Sequence, residues 1–312
     1  MIKWLTSALV VLATTAVAQD AADRARALGG DAPAAPQRLT LTNLPKATGK
    51  PVALFDGRSL AGWQPWLGYA DPAVTYHADP GLKPVGTGRS TQGDFAVRAV
   101  DGAPAIWIKG QTWGSLVHRA DLRDYHLRLH YKWGAQRWAP RIGQPPNNGL
   151  LYHTHGTPGE VFGTWRPSAE FEIMQGSTGM AVMVGGKVRA RTSVAYDPAL
   201  IAPHLRFRMG GKTVDMVNGT DTWNVEAATD AERPAGQWNT LDLYVVGDHA
   251  IHVVNGVPVA ELRDLATIAP DGTRQPLTHG QIQLQSEGAE TWFRGITVEP
   301  IRSLPTIVAA AR

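Results

Sequence analysis

The sequence predicts an all-β protein, a two-sheet β-sandwich or jelly roll folded as a single domain. Three observations predict it. From Pro51 onward, short runs of β-branched and aromatic residues alternate with clusters of Gly, Asp and Pro, the pattern of many strands with tight connections. "YHLRLHYKW" (125–133) puts Tyr125, Leu127, Leu129, Tyr131 and Trp133 on one side and His126, Arg128, His130 and Lys132 on the other. Such alternation fits an antiparallel sheet with one buried and one solvated face. After residue 50 there is no amphipathic helix of more than three turns, so the strand–helix alternation of a doubly wound fold is missing.

Taken in order, the chain opens with "MIKWLTSALVVLATTAVAQD". Lys3 precedes an apolar stretch, and Ala16-Val17-Ala18 is a small-x-small cleavage signature. Residues 1–18 are therefore expected to be a secretory signal peptide, with the mature protein periplasmic or secreted. Residues 19–50 are rich in Ala, Pro, Arg and Asp and read as an arm or linker with one helical turn around Ala21 to Leu28. The folded domain is expected over 51–301. Its strands include "FAVRAV" (95–100), "AIWIKG" (105–110), "SAEFEIMQG" (168–176), "NTLDLYVVG" (239–247), "AIHVVNG" (250–256) and "GQIQLQSEG" (280–288). Asn255-Gly256 is a hairpin signal, because both residues tolerate positive φ. A mildly apolar tail, 302–312, ends the chain, and no internal repeat of fixed period is visible.

Composition excludes several classes. There is no cysteine among the 312 residues, so disulfides, thiolate metal sites and cysteine nucleophiles are ruled out. The net charge is +3 and the basic residues are scattered, which gives no footprint for nucleic acid. No second long apolar run follows the first, so no membrane span is expected. Eleven tryptophans fit either a large sheet core or indole faces that pack on sugar rings; Trp165 is taken as a substrate-binding candidate.

"GTGRSTQG" (86–93) neither follows a clear strand nor opens a helix, so it reads as a surface loop rather than a phosphate cradle. No G-x-S-x-G elbow supports a serine hydrolase. In "SAEFEIMQG", alternation puts Glu170, Glu172 and Met174 on one face and Phe171, Ile173 and Gln175 on the other. Two side-by-side carboxylates suit general acid–base work, and the plain alternative is a wet sheet face. Gln285 and Glu287 share a face in the same way. "HTH" (153–155) places His153 and His155 on one strand face, where with Glu170 they could hold a divalent metal. Arg294, among aromatic residues in "TWFRG", is expected to have a carboxylate partner.

"LFDGRSLAGW" (54–63), "GSLVHRADLRDYHLRLHYKWG" (114–134), "NNGLLYH" (147–153), "AEFEIMQGSTG" (169–179), "RPAGQWNTLDLYVVGDHAIHVVNGVPV" (233–259) and "GQIQLQSEGAETWFRGITVEP" (280–300) occur in that order. Together they resemble the 3-keto-disaccharide hydrolase domain family, also described as 3-keto-glucoside 1,2-lyase and 3-keto-2-hydroxy-glucal hydratase, over roughly residues 51 to 301. Against the family pattern, Asn148 stands for a Ser, His153 for a frequent Arg, Glu172 for a Gln, Gln175 for an Asp and Gly295 for an Asn. The resemblance implies a concanavalin-like sandwich with a sugar site on one sheet. It also implies cleavage of 3-keto-glucosides by elimination and hydration, and a functional link to a sugar 3-dehydrogenase. Under it, Glu170 or His153 is the expected base. Glu172 and His155 are orienting groups or metal ligands, and Asn148, Gln285, Glu287 and Arg294 contact the oxidised sugar. Three other readings remain open on the residues alone: a non-catalytic lectin-like module, a conventional glycosidase using paired carboxylates, and a structural protein of the envelope.

Overall fold

The computed structural model describes residues 23, 26–30, 37–87, 93–200 and 202–310. The expected signal peptide, residues 1–18, and residues 88–92 of the glycine-rich loop lie outside this set. In chain order the strands are β1 (Leu39–Thr42), β2 (Val52–Ala53), β3 (Trp63–Leu67), β4 (Phe95–Val100), β5 (Ala103–Ile108), β6 (Gly114–His118), β7 (Tyr125–Arg137), β8 (Asn147–Thr154), β9 (Ser168–Met174), β10 (Ala181–Val184) and β11 (Val188–Tyr196). They continue with β12 (Leu205–Phe207), β13 (Lys212–Val217), β14 (Asn224–Val225), β15 (Asn239–Val246), β16 (His249–Val254), β17 (Val257–Ile268), β18 (Arg274–Pro276), β19 (Gln281–Ser286), β20 (Ala289–Pro300) and β21 (Thr306–Ala309).

Nineteen of these strands form two antiparallel sheets. One has the order β14-β10-β9-β8-β19-β6-β3. The other runs β12-β11-β17-β16-β15-β7-β20-β5-β4, with β13, β18 and β2 paired at its margins. The main core lies between the sheets. Leu127, Leu129, Tyr131 and Phe293 from the larger sheet meet Leu150, Phe171, Ile173 and Leu284 from the smaller. This is the two-sheet sandwich that the alternating strands predict, with the concanavalin-like architecture that the resemblance implies.

β7 follows its pattern as far as Trp133: Tyr125, Leu127, Leu129, Tyr131 and Trp133 are buried, and the even residues between them face outward. On that outer side His126 sits between Asp242 Oδ1 (2.7 Å) and Glu299 Oε1 (2.9 Å) and stacks on Tyr244. Polar groups also cross the core. The Tyr152 hydroxyl meets His252 Nε2 at 3.0 Å, and His252 Nδ1 meets the Gly179 carbonyl at 3.1 Å. Burial holds the His252 imidazole down at about 4, so it stays neutral inside the sandwich.

The Asn255-Gly256 turn joins β16 to β17 with φ of 49° and 84°, the positive values a two-residue hairpin loop requires. Asn255 does more than turn. Its Oδ1 accepts from Thr240 N (2.9 Å), and its Nδ2 donates to the Ala231 carbonyl and Asn239 Oδ1 (both 2.8 Å). Asn239 in turn accepts from Arg233 N. Asn239 and Asn255 thus tie the loop at Ala231 and Arg233 to the β16–β17 hairpin. Of the 19–50 segment, residues 26–29 are helical and β1 pairs with β21, with Leu39 buried in the core.

Asn255→Ala removes three hydrogen bonds and leaves alanine at a left-handed φ. It should lower unfolding free energy by about 3 kcal/mol, read by urea denaturation; a change within error would show that the turn tolerates its loss.

Candidate active site

The smaller sheet is apolar on both faces, and its outer face builds the site. A second hydrophobic cluster covers that face, with Trp113, Leu151, Val161, Trp165, Met180, Val182 and Val184. β9 alternates between the two layers. Phe171 and Ile173 enter the main core, while Glu170, Glu172 and Met174 face the outer cluster. Cross-strand pairing sets Glu170 opposite Leu151 and Val182, and Glu172 opposite Gly149. Gln285 comes from β19, and Glu287 follows at its end. All three glutamates are buried, and they line one cavity of about 320 Å³.

Two glycines make the room. A Cβ on Gly149 would overlap the Glu170 carboxylate and come within 2.7 Å of Gln285 Oε1. Gly288, at φ 81°, lies under Arg141, whose side-chain carbons would be 2.9–3.2 Å from a Cβ there. The 138–147 loop is pinned across this turn by Trp138 N to the Gly288 carbonyl (2.9 Å). It delivers Arg141 Nη1 to Glu287 Oε1 at 3.2 Å. Tyr76 arrives from another direction. It follows a 3-10 turn (Pro72–Val74) capped by Asp71 Oδ1, which accepts from Ala73 N at 3.0 Å.

One guanidinium among three buried carboxyls leaves a deficit of positive charge. Burial pushes Glu170 well above the usual carboxylate range, and the Glu172 and Glu287 charges push it further. Burial, then Glu287, raises Glu172 to about 8, while Arg141 and a hydrogen bond with Asn147 oppose the rise. Glu287 is raised to about 7 by burial, held back by Arg141 and a hydrogen bond with Tyr76. The order of proton affinity is therefore Glu170 first, Glu172 next and Glu287 last. Carboxyls pushed apart in this way are suited to separate acid and base roles.

The cavity also holds polar atoms that the protein leaves unpaired. Arg141 Nε, Asn147 Oδ1, Trp165 Nε1, Glu170 Oε1, Asn224 Oδ1 and Gln285 Oε1 are buried without a hydrogen-bond partner. Native interiors carry few such atoms, and six in one pocket match a ligand rich in hydroxyls. Aromatic rings flank them. Trp165 stacks with Trp113 at 6.0 Å, and Tyr76 meets Phe162 edge to face at 5.1 Å. Tyr76, Phe162 and Trp223 are exposed at the mouth.

Among the sequence candidates, Glu170, Glu172, Gln285, Glu287 and Trp165 come together here. The others lie elsewhere. Asn148 faces the core, where its Nδ2 donates to Thr291 Oγ1 (3.1 Å); its neighbour Asn147 lines the cavity instead. His153 sits at a register shift in β8 with φ 51° and is fully buried near the Gly247 turn. Burial holds it down at about 4. His155 bonds the His153 carbonyl through Nδ1 (2.9 Å) and lines a different cavity. Arg294 has no carboxylate pair but lies 3.8 Å over the Trp238 ring on the larger sheet. His153, His155 and Glu170 do not converge, and among the described residues no group of three or more His, Cys, Asp or Glu could hold a metal ion. Tyr76, Arg141, Asn147, Phe162, Trp223 and Asn224 were not legible as site residues, because each comes from a loop or strand end without a repeating pattern.

The profile of the 3-keto-alpha-glucoside-1,2-lyase-like domain matches residues 50–299. The chain belongs to this family. It is a glycosyl hydrolase-like, carbohydrate-active domain. No curated protein matches it in sequence. Among solved structures, a Parabacteroides distasonis protein named "putative glycosyl hydrolase" is 16% identical over 81% of this chain and 100% of its own, with a TM-score of 0.45. A Bacillus subtilis protein of unknown function with a galectin-like fold is 10% identical over 85% and 100%, with a TM-score of 0.41. A Bacillus licheniformis β-glucanase is 10% identical over 82% and 100%, with a TM-score of 0.35. Among the described residues no helix is long and apolar enough to cross a membrane.

Because Glu172 binds its proton more tightly when folded, the stability this contributes is complete below its unfolded value and is lost as pH rises through about 8. Glu172→Gln should therefore be more stable than the parent at alkaline pH by on the order of a few kcal/mol, and by much less near pH 5. Urea unfolding at the two pH values measures this, and equal gains at both would mean that the carboxyl is not protonated in the fold.

Proposed function

We propose that the protein cleaves 3-keto-glucosides by β-elimination followed by hydration. The single observation that carries this reading is three buried glutamates facing one arginine in a sugar-sized cavity. A carbonyl at carbon 3 acidifies the proton on carbon 2. Glu287, the carboxyl that ionises first, takes that proton. The C2–H electron pair forms an enolate, whose negative charge Arg141 stabilises. The enolate collapses to a C1–C2 double bond and restores the carbonyl as the C1–O bond breaks. Glu170 gives its proton to the departing oxygen.

Water then adds across the double bond. Glu170, now a carboxylate, takes a proton from the water as its oxygen bonds to carbon 1. Glu287 returns its proton to carbon 2. The products are the free alcohol and 3-keto-glucose, and both carboxyls end as they began. Glu172 shares a hydrogen bond with Glu170 and keeps it protonated. Asn147, Asn224, Gln285 and Trp165 hold the sugar hydroxyls. The leader motif supports a periplasmic or secreted location for this chemistry, and the substrate calls for a dehydrogenase acting at carbon 3 to supply it.

Incubation with a 3-keto-glucoside and its unoxidised parent, followed by NMR, tests the reading. Aglycone should appear from the oxidised compound alone. Release from both would indicate a conventional glycosidase, and release from neither a binding module. The profile of kcat/KM against pH should be bell-shaped, rising through about 7 as Glu287 ionises and falling at alkaline pH as Glu170, held well above the usual carboxylate range, loses its proton. Glu287→Gln should lower kcat by about a thousandfold. Arg141→Met should move the rising limb to higher pH, because Glu287 loses the charge that favours its ionised form; an unmoved limb would remove Glu287 from the role of base.

A further inference from the structure

Tyr76 enters the cavity from the loop after the Pro72–Val74 turn rather than from a strand, and the elimination by the glutamates does not use its hydroxyl. Three rings hold it in place. Phe162 meets it edge to face at 5.1 Å, Trp113 does so at 5.8 Å, and Trp165 lies tilted at 6.2 Å. This cage is set in advance. Phe162 holds φ 53°, a region that bulky residues avoid. Its turn is fixed by Val161 N to the Trp165 carbonyl (3.0 Å) and by Trp66 Nε1 to the Gly163 carbonyl (3.0 Å). Tyr76 is 56% exposed at the mouth, yet its hydroxyl end turns inward and hydrogen-bonds Glu287. The charges that act on this hydroxyl are Glu287, Arg141, Glu172 and Glu170, the whole charged set of the cavity lining. Burial pushes the phenol far above its ordinary range, Glu287 adds to the rise and Arg141 opposes it. Tyr76 therefore keeps its proton and serves these carboxylates as a donor.

During elimination the negative charge moves. It starts on Glu287. Once the C2 proton has passed to that carboxyl, the charge sits on the oxygen at carbon 3. Carbon 2 and this oxygen are separated by carbon 3 alone, so the group that takes the proton and the oxygen that receives the charge are neighbours. A hydroxyl bonded to the first reaches the second by turning about its own C–O bond. Hydrogen bonds to an ionised acceptor are about twice as strong as those to a neutral one, so the donor follows the charge.

We propose that the Tyr76 hydroxyl is the mobile donor of this reaction: it serves the Glu287 carboxylate in the empty site and passes to the enolate oxygen as the C2 proton moves. This rests on the elimination reading. No proton leaves Tyr76. The C2–H bond breaks, its proton goes to Glu287, its electron pair forms the enolate, and Tyr76 and Arg141 share the stabilisation of the resulting charge. When the C1–O bond breaks, the carbonyl returns and the hydrogen bond from Tyr76 weakens. In the hydration the enolate forms again as water adds to carbon 1. Once Glu287 has returned its proton to carbon 2, the hydroxyl goes back to the carboxylate.

Tyr76→Phe removes the hydroxyl and keeps the ring against its three neighbours. With a 3-keto-glucoside, kcat should fall by about a hundredfold, the loss of one oxyanion donor, and KM should change by less than about threefold. The rising limb of kcat/KM against pH, which reports Glu287 in the free enzyme, should move to higher pH, because the carboxylate loses a donor that favours it. A tyrosine that only packs would leave that limb in place. A kcat within about threefold of the parent, a rise in KM in place of the fall in kcat, or an unmoved limb would each overturn the proposal. The ligand-free protein separates this from the elimination reading. If the parent turns over no 3-keto-glucoside, that reading falls, and carbon NMR of carboxyl-labelled glutamate still follows Glu287 in the empty site, with Glu287→Gln assigning its signal. Titration at higher pH in Tyr76→Phe than in the parent would support the hydroxyl as its donor, and equal titration would overturn it.

Discussion

A single guanidinium has to serve three carboxyls in a space from which water is largely excluded. Neither full ionisation nor full protonation of Glu170, Glu172 and Glu287 is stable there, since unpaired charge is expensive in low dielectric and only one positive partner is at hand. Much else follows from keeping that arrangement. Arg141 reaches Glu287 only because its loop crosses Gly288. Glu170 and Gln285 converge only because Gly149 has no side chain between them. The low dielectric itself depends on the outer cluster of Trp113, Trp165, Val182 and Val184, which makes this sheet apolar on both sides, unlike its partner.

That double covering explains what the sequence could and could not reveal. Period-two alternation was enough to find β7 and to set Glu170 and Glu172 apart from Phe171 and Ile173. The Asn255-Gly256 hairpin was readable because its φ values leave few residue choices. The same alternation was not carried from β9 to β8. Glu172 pairs with Gly149, so Asn147 shares its face and Asn148 does not; naming Asn148 was an error of one residue in parity. His153 misled for a related reason, since a register shift in β8 breaks the alternation just where the histidine pair begins. Arg294 was expected to find a carboxylate, but an aromatic face satisfies a guanidinium as well. Arg141 and Tyr76 left no trace in the sequence, because position in a loop has no period.

The site also shows where local preference gives way to function. Phe162 holds a φ its side chain disfavours, and three glutamates occupy an interior that hydrophobic residues would fill more stably. Both conflicts are confined to the outer face of the smaller sheet. Between the sheets, by contrast, Tyr152, His252, Asn148 and Thr291 pair with partners across the core. Other buried polar atoms are left unpaired away from the pocket, among them the Tyr125 hydroxyl and both ring nitrogens of His153.

β20 lies between β7 and β5 in the larger sheet, and it also receives β2. It spans Ala289–Pro300, close to the C-terminus. Until those residues have been synthesised, β5 and β7 have no strand to join them, and β1 has no β21 to pair with. Assembly of this sheet therefore waits on contacts distant in sequence, which form slowly, and β5 and β7 stay unjoined until β20 has been made.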